Sequence, residues 1–334
     1  MPQQNFSDLL LSWYDQDRRY LPWRYAPGTS ASPYHVWISE IMLQQTGVST
    51  VIPYFEKFIK KWPTVESLAK ANIEEILIHW QGLGYYSRAK NLHRCAKSLV
   101  YEHNGIWPQS ANKLKELPGI GPYTSAAISA IAFQQAETVV DGNVDRIISR
   151  LKALKKPIRE NKAAIYTAAQ RLTPKLRAGD YAQAMMDLGA TICTPTSPKC
   201  GICPVKKYCN GFASGTPTIY PGKPQKKSIP FRKTVVLFLE KEDRILVRKR
   251  AKEGMLANML ELPSTPWNDK IIEDKPFGKA YDIRHTFSHF HIHVEIIRAP
   301  RPFAFFNGDE FWCKKDTLNQ HPISVLTKKI LAFL

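Results

Sequence analysis

Upstream of about residue 213, apolar and polar positions alternate at helical spacing. FSDLLLSWY near the start, the long run from Tyr34 to Trp62, IEEILIHW, NKLKEL, SAAISAIAF, NVDRIISRLKAL and KAAIYTAAQRL each set apolar residues three and four apart. These predict an all-helical domain. From Gly215 to Lys227 the segment GTPTIYPGKPQKK is rich in Pro, Gly and Lys, has no apolar period, and reads as an exposed linker. Beyond it, TVVLFLE and RILVRKR are strand-like runs on either side of the polar turn KED, and HIHVEIIR is a third. With a closing helix, PISVLTKKILAFL, they predict a small α+β domain. Neither an internal repeat nor a low-complexity tract is visible.

One helical segment departs from the amphipathic pattern. WISEIMLQQT, Trp37 to Thr46, is apolar around the helix axis, the mark of a buried helix, yet it holds Glu40 and the adjacent Gln44 and Gln45. A carboxyl group among Val36, Trp37, Ile38, Ile41, Met42 and Leu43 is desolvated, which favours the protonated form that a general acid needs near neutral pH. A glutamate near a helix start, favoured by the macrodipole, is the plainer alternative. A second local feature is LPGIGPYTSAA, Leu117 to Ala127. Its glycines make a tight turn whose backbone N–H groups, at a helix N-terminus, could hold a phosphate; an ordinary helix-to-helix turn has the same composition. About 20 residues downstream, VVDGNVDRIISR places Asp141 on a turn before a helix, where it also has the composition of an N-cap.

Composition adds bounds. A chain of 334 residues with 44% hydrophobic content fills two ordinary cores more readily than one, so two domains are expected. Lys and Arg number 47 against 29 Asp and Glu, a net charge of +18 that points to a polyanionic partner, most simply nucleic acid, although a merely basic protein carries the same charge. MPQQNFSDLLLSWYDQDRRY lacks an export pattern, and no apolar run of about 18 residues occurs, so a soluble, cytoplasmic protein is expected.

Of six cysteines, Cys193, Cys200, Cys203 and Cys209 follow the order C-x6-C-x2-C-x5-C, while Cys95 and Cys313 stand alone. Disulfides do not suit a chain without an export signal. Tetrahedral zinc, an iron-sulfur cubane and free thiols are the readings open to four such residues. The spacing lacks the two separated C-x2-C pairs of a zinc ribbon and favours a 4Fe-4S cluster.

The hairpin LPGIG, the following VVDGNV and the four-cysteine loop, in that order, look like the helix-hairpin-helix iron-sulfur DNA glycosylase superfamily. Within it, LPWR (Leu21 to Arg24), SEIMLQQT (Ser39 to Thr46), GLGYYSRA (Gly82 to Ala89), MMDLGA (Met185 to Ala190) and FSH (Phe287 to His289) resemble the MutY-type adenine DNA glycosylase family. The resemblance covers nearly the whole chain. It implies an all-α helix-hairpin-helix core with an iron-sulfur loop over residues 1–213, a linker at 214–229, and a Nudix-like α+β domain at 230–334. Within the core, a six-helix module would span about 24–135 with the hairpin at 117–122, and the N-terminal helix would join 136–213 in the cluster module.

The implied activity is removal of adenine mispaired with 8-oxoguanine, or with guanine, from double-stranded DNA in base excision repair. The target base must leave the stack. Glu40 would protonate the departing purine. Asp141 would stabilise the cationic sugar, electrostatically or covalently. Asn143 and Tyr123 would complete the site. Endonuclease III, a relative that also cleaves the backbone, has a nucleophilic lysine where this chain has Tyr123, so activity should stop at base removal. Adenine would lie among Arg19, Leu21, Trp23, Arg24 and Asp187, with Trp23 equally suited to core packing. Gln45 and Tyr85 would wedge into the base stack, with Thr46, Gly119 and Gly121 also on the DNA.

The segment YAPGTSAS is longer than the family's usual connection, and bending into the pocket would weaken the roles of Trp23 and Arg24. The cluster would not perform the chemistry but would fix the loop carrying Lys199, Lys206 and Lys207 against phosphates. In the C-terminal domain no glutamate-dense helix follows ELPSTPWND, so it should bind rather than hydrolyse, recognising 8-oxoguanine through Phe287, Ser288 and His289, with Ser288 bonding the base. A metal on His289, His291 and His293 is a weaker alternative. A monomer is expected, without a membrane partner and, in a bacterium, near the nucleoid. Two rival readings are a redox-responsive DNA binder without activity and a bifunctional glycosylase for oxidised pyrimidines.

Overall fold

A computed structural model of the protein describes residues 5–224, 228–268, 280–298 and 309–334. Its helices are α1 (Phe6–Asp17), α2 (Pro33–Leu43), α3 (Val48–Lys61), α4 (Val65–Lys70), α5 (Ile73–His79), α6 (Ser87–Tyr101), α7 (Ala111–Leu114), α8 (Pro122–Phe133), α9 (Gly142–Leu151), α10 (Ile158–Leu172), α11 (Ala178–Thr191), α12 (Asn210–Ala213) and α13 (Val325–Phe333). The strands are β1 (Phe231–Phe238), β2 (Glu240–Lys241), β3 (Arg244–Lys249), β4 (Leu260–Glu261), β5 (Ala280–Thr286), β6 (His291–Arg298) and β7 (Glu310–Lys314). Two compact units result, one of residues 1–70 with 91–225 and the other of 71–90 with 226–334.

The first unit is all-helical. Local signals set its helix starts: Asn5 and Asp8 form a capping box on α1, and Ser32 caps α2 with Pro33 at its first position. The run from Tyr34 to Trp62 is two helices rather than one. The chain breaks after Leu43, Gln45 takes φ 56°, and Gly47 caps α3. The break has a packing reason, since α2 is buried on every side whereas α3 buries one stripe, Val51, Phe55 and Phe58. α1, α9, α10 and α11 close a core around Leu10, Tyr14, Ile148, Ile165, Met185 and Leu188. α8, buried from Thr124 to Ala132 and built largely of small residues, packs against both α2 and α11.

The segment read as an exposed linker is docked over part of its length. Tyr220 is buried, its carbonyl accepts from Arg150 Nε at 3.2 Å, and Gly222 pairs with Pro157. A lone aromatic carries no periodicity in the sequence, so only the fold reveals its pocket. Residues 225–227 of that segment lie outside the described residues.

In the second unit, β1 lies parallel to β6, and β5 pairs antiparallel on the other side of β6. A second sheet runs β2-β3-β4 with β7 also on β3. Phe238, Val247, Ile283, Phe290, Val294 and Ile330 share its core. The strand-like runs and closing helix are β1, β3, β6 and α13. β5 escapes a periodicity reading because AYDIRHT alternates polar residues around Ile283. The position of a Nudix glutamate helix falls mostly within 269–279, outside the described residues.

Candidate active site

The first unit holds a cleft of about 780 Å³, within the range of small-molecule sites. Its wall brings together Glu40, Tyr123, Asp141 and Asn143 with Arg19, Leu21, Trp23 and Arg24, and its rim carries Gln45, Thr46, Gly119 and Gly121. Residues scattered over the sequence from Arg19 to Asn143 thus meet in one place.

Glu40 comes from the buried helix α2 and is 5% exposed. The Tyr123 hydroxyl, at the start of α8, donates to its Oε2 at 2.6 Å. Burial pushes the Glu40 carboxyl from 4.5 up to about 7; the Tyr123 bond and the Arg24 charge oppose that rise, and the Asp141 charge adds to it. Burial and the two carboxyls likewise raise Tyr123, keeping it a hydroxyl donor. A carboxyl so placed is half protonated near neutrality, the condition for giving a proton to a departing base.

Asp141 caps α9. Its Oδ1 accepts from Val144 N at 2.8 Å, and its Oδ2 accepts from Asn143 Nδ2 at 2.8 Å. The cap bonds hold the carboxyl group of Asp141 at the cleft wall. Asn143 is itself held: its Oδ1 accepts from Arg146 Nη2 at 2.9 Å, and its Cβ would lie 2.4 Å from any Cβ added to Gly189. The glycine of MMDLGA therefore serves close approach of α11 to this side chain.

The structure corrects the placement of Asp187. It is fully buried behind the cleft rather than on its wall. Its Oδ1 accepts from Arg19 Nε and Arg24 Nη2, each at 2.7 Å, while its Oδ2 accepts from Arg24 Nη1 at 2.5 Å and Arg19 N at 3.0 Å. Burial raises its pKa, but the bonds and charges of Arg24 and Arg19 outweigh that and hold the carboxyl below its usual range. With both oxygens occupied, Asp187 positions the arginines and does not face a ligand. Trp23 is 6% exposed and stacks edge-on against Phe55 at 5.3 Å, so it is chiefly a core residue with an edge in the cleft. The loop from Tyr25 to Ser32 does not line the cleft; Gly28 N donates to Asp180 at 2.8 Å, and Tyr25 Oη bonds His35 Nδ1 at 2.9 Å.

The hairpin turn precedes α8. Gly119 takes φ 77°, and an added Cβ would meet Asn91 Cβ at 2.5 Å, so the position accepts only glycine without rearrangement. Gly121 caps α8 without a side chain, leaving first-turn N–H groups for a ligand.

Tyr85 and the Phe287–His289 stretch lie in the second unit. Tyr85, 44% exposed with φ 48°, stands on a turn against Arg88, whose Nη2 donates to Leu83 O at 2.9 Å. Ser288 and His289 are exposed at the turn between β5 and β6, closed by Phe287 N donating to Phe290 O at 2.9 Å, and Phe287 stacks on Phe290 and Trp267. His289 lies in this turn rather than on β6, while His291 bonds Thr286 and His293 bonds Asp282 at 2.6 Å. No metal group forms from these histidines among the described residues.

Sequence reasoning missed Gln183 and Met186, which α11 brings to the cleft wall, and Lys162, from α10. It also missed Arg146, which joins Asn143 to the Gly189 and Cys193 carbonyls at 2.7 and 2.8 Å. Helical spacing from Asp187 would have found Gln183, four residues earlier; nothing local marks Lys162.

The cysteines Cys193, Cys200, Cys203 and Cys209 line one small cavity. Burial, then the neighbouring sulfurs, push the Cys203 thiol up to about 11. Thiolates packed in this way repel one another and call for a multiply charged centre. Arg150 Nη1 donates to Cys193 Sγ at 3.3 Å, and backbone N–H groups of Val205, Gly211 and Phe212 bond Cys203 and Cys209. Such donors are the usual outer partners of cluster thiolates. Lys206 Nζ bonds Gly201 O at 3.1 Å, and Lys207 lies over the Tyr208 ring.

The chain is similar to known proteins along most of its length. Residues 38–175 match the HhH-GPD superfamily of base excision DNA repair proteins, 193–209 the iron-sulfur binding domain of endonuclease III, and 234–333 a NUDIX domain. The chain is 34% identical to an adenine DNA glycosylase of Buchnera aphidicola, over 93% of its own length and 92% of that protein. It is 32% identical to the human adenine DNA glycosylase, over 97% and 73% respectively. Among solved structures, a thermostable thymine-DNA glycosylase aligns with a TM-score of 0.56 and 30% identity, over 63% of this chain and 95% of that one. An endonuclease III trapped on DNA shares the fold at 21% identity and TM-score 0.52. The cysteine loop is thus an iron-sulfur loop, and its cofactor is a 4Fe-4S cluster.

Proposed function

From the membership of this chain in the adenine DNA glycosylase family, we propose that it excises adenine opposite 8-oxoguanine, or guanine, and leaves the DNA backbone intact. The chain is a DNA N-glycosylase of base excision repair, a hydrolase acting on DNA. The observation that carries this reading is the Glu40–Tyr123 pair, a buried carboxyl held near neutrality on the same cleft wall as the capped side chain of Asp141.

The chemistry follows from that pair. An adenine turned out of the duplex enters the cleft, and unstacking costs a few kcal/mol that Gln45 and Tyr85 partly offset by filling the gap. Glu40 gives its proton to the purine, with Tyr123 holding the carboxyl in position. As the glycosidic bond breaks, positive charge grows on the sugar and Asp141 stabilises it. Asn143 keeps Asp141 aimed. Water then adds at the anomeric carbon, and the proton it loses restores the acid form of Glu40. Tyr123 stands where a lyase would carry its amine, and the lysine on the cleft wall, Lys162, is held in an ion pair with Asp145.

The 4Fe-4S cluster supplies structural cross-linking, with Cys193, Cys200, Cys203 and Cys209 holding it and the loop presenting Lys206 and Lys207 to phosphates. In this reading residues 1–213 carry the chemistry, and 230–334 read the 8-oxoguanine strand through Ser288 at its exposed turn, flanked by Phe287 and His289. The protein acts as a monomer. Among the described residues no helix is long and apolar enough to cross a membrane.

A single-turnover assay on a duplex with adenine opposite 8-oxoguanine, read with and without alkali, tests the reading. Strand breaks that need alkali are expected. Breaks without alkali, or tight binding with no base release, overturn it.

A further inference from the structure

The cleft wall carries a pair that the chemistry above does not use. Lys162 Nζ, from α10, bonds Asp145 Oδ2 at 2.6 Å, and both residues line the cleft. Asp145 is four residues after Asp141, one turn along the same face of α9. It is 5% exposed, yet its Oδ1 is buried without a hydrogen-bond partner among the described residues. A buried carboxylate oxygen in this state awaits a donor. Lys162, by contrast, has a side chain 58% exposed, so its remaining N–H bonds face outward.

The chemistry of the ligand follows from these two groups. A DNA backbone offers phosphate acceptors and no donors, so the ammonium suits a phosphate, and the empty carboxylate lone pairs suit a water that donates to both. With Asp141 at the sugar, as proposed above, a group one helical turn (about 5 Å) along the same cleft wall lies within reach of a phosphate flanking that sugar. We propose that Lys162 binds a backbone phosphate beside the extruded nucleotide, with Asp145 as the positioning residue that holds the ammonium over the cleft. This rests on the reading that the cleft takes an extruded nucleotide. The pair also has an internal logic: without Lys162 the Asp145 charge is unscreened and repels the phosphate it helped to bind.

The test uses the full-length, cluster-loaded protein carrying Glu40→Gln, so that binding is read without turnover. Affinity for the mispaired duplex is measured across salt concentrations, with Lys162→Ala, Lys162→Arg and Lys162→Ala/Asp145→Asn added in turn. Lys162→Ala should make the slope of log affinity against log salt shallower by about 0.9 and weaken binding roughly tenfold near 0.1 M salt. Arginine should restore the slope, and the double variant should bind more tightly than Lys162→Ala alone. An unchanged slope with a lowered melting temperature would overturn the proposal, leaving the pair as a clamp between α9 and α10. So would a reducible covalent adduct with abasic DNA that vanishes in Lys162→Ala, since that assigns the amine to the sugar aldehyde. Excision of adenine by the protein with Glu40 intact is followed separately; its failure would refute the functional reading and not the slope result.

Discussion

Replacing Glu40 by Gln separates the chemical role of this residue from its folding cost. The carboxyl sits at about 7 in the folded protein against 4.5 ordinarily, because burial disfavours its charge. Between those values the folded chain binds more protons than the unfolded one, so stability falls as pH rises through the window. The full fall is about 3 kcal/mol, and about 2.5 kcal/mol of it lies between about pH 5 and pH 8. Glutamine still accepts the Tyr123 hydroxyl but cannot ionise. The variant should therefore gain about 2.5 kcal/mol relative to the parent when denaturant melts at those two pH values are compared. In single-turnover excision the parent rate should decline as pH rises through about 7, as the acid form is lost. The variant should be slower by about 100- to 10,000-fold and should lose that limb. A variant that keeps the parent's rate, or whose melts track the parent's at both pH values, would refute the assignment of a buried, protonated Glu40.

The remaining expectations concern the supports of the site. Asp187→Asn leaves the buried guanidinium of Arg24 without its counter-charge and should cost about 3–5 kcal/mol in chemical denaturation, with activity falling through misplacement of Arg24 rather than through lost base contact. Gly119→Ala forces a side chain into φ 77° against Asn91, costing about 1–3 kcal/mol, and should weaken binding to any duplex without changing preference between mispairs. Ser288→Ala should leave excision opposite guanine unaltered while slowing excision opposite 8-oxoguanine by about tenfold or less, one neutral hydrogen bond's worth; equal loss on both duplexes would remove Ser288 from lesion recognition.

Several of these features were legible in the chain itself. The all-round apolar character of Trp37 to Thr46 marks a buried helix, and Glu40 within it is necessarily desolvated. Gly119, the Asp141 cap and the cysteine spacing are local, because turn, cap and loop each depend on a few consecutive residues. The linker reading failed at Tyr220, and the long run from Tyr34 to Trp62 concealed the break at Gln45, since docking of a single ring and a local left-handed turn leave no period.

Sequence alone therefore determined the two fold types and the cluster loop, and it marked Glu40 and Asp141 as candidates for the acid and the carboxylate, because each is written in local pattern and residue chemistry. Only the tertiary structure decided that Tyr123 meets Glu40, that Asp187 is spent on Arg19 and Arg24 behind the cleft, and that Lys162 reaches Asp145 on its wall. Those pairings join residues 83, 168, 163 and 17 positions apart, respectively, and such distances are set by how helices pack rather than by anything a neighbouring residue can signal.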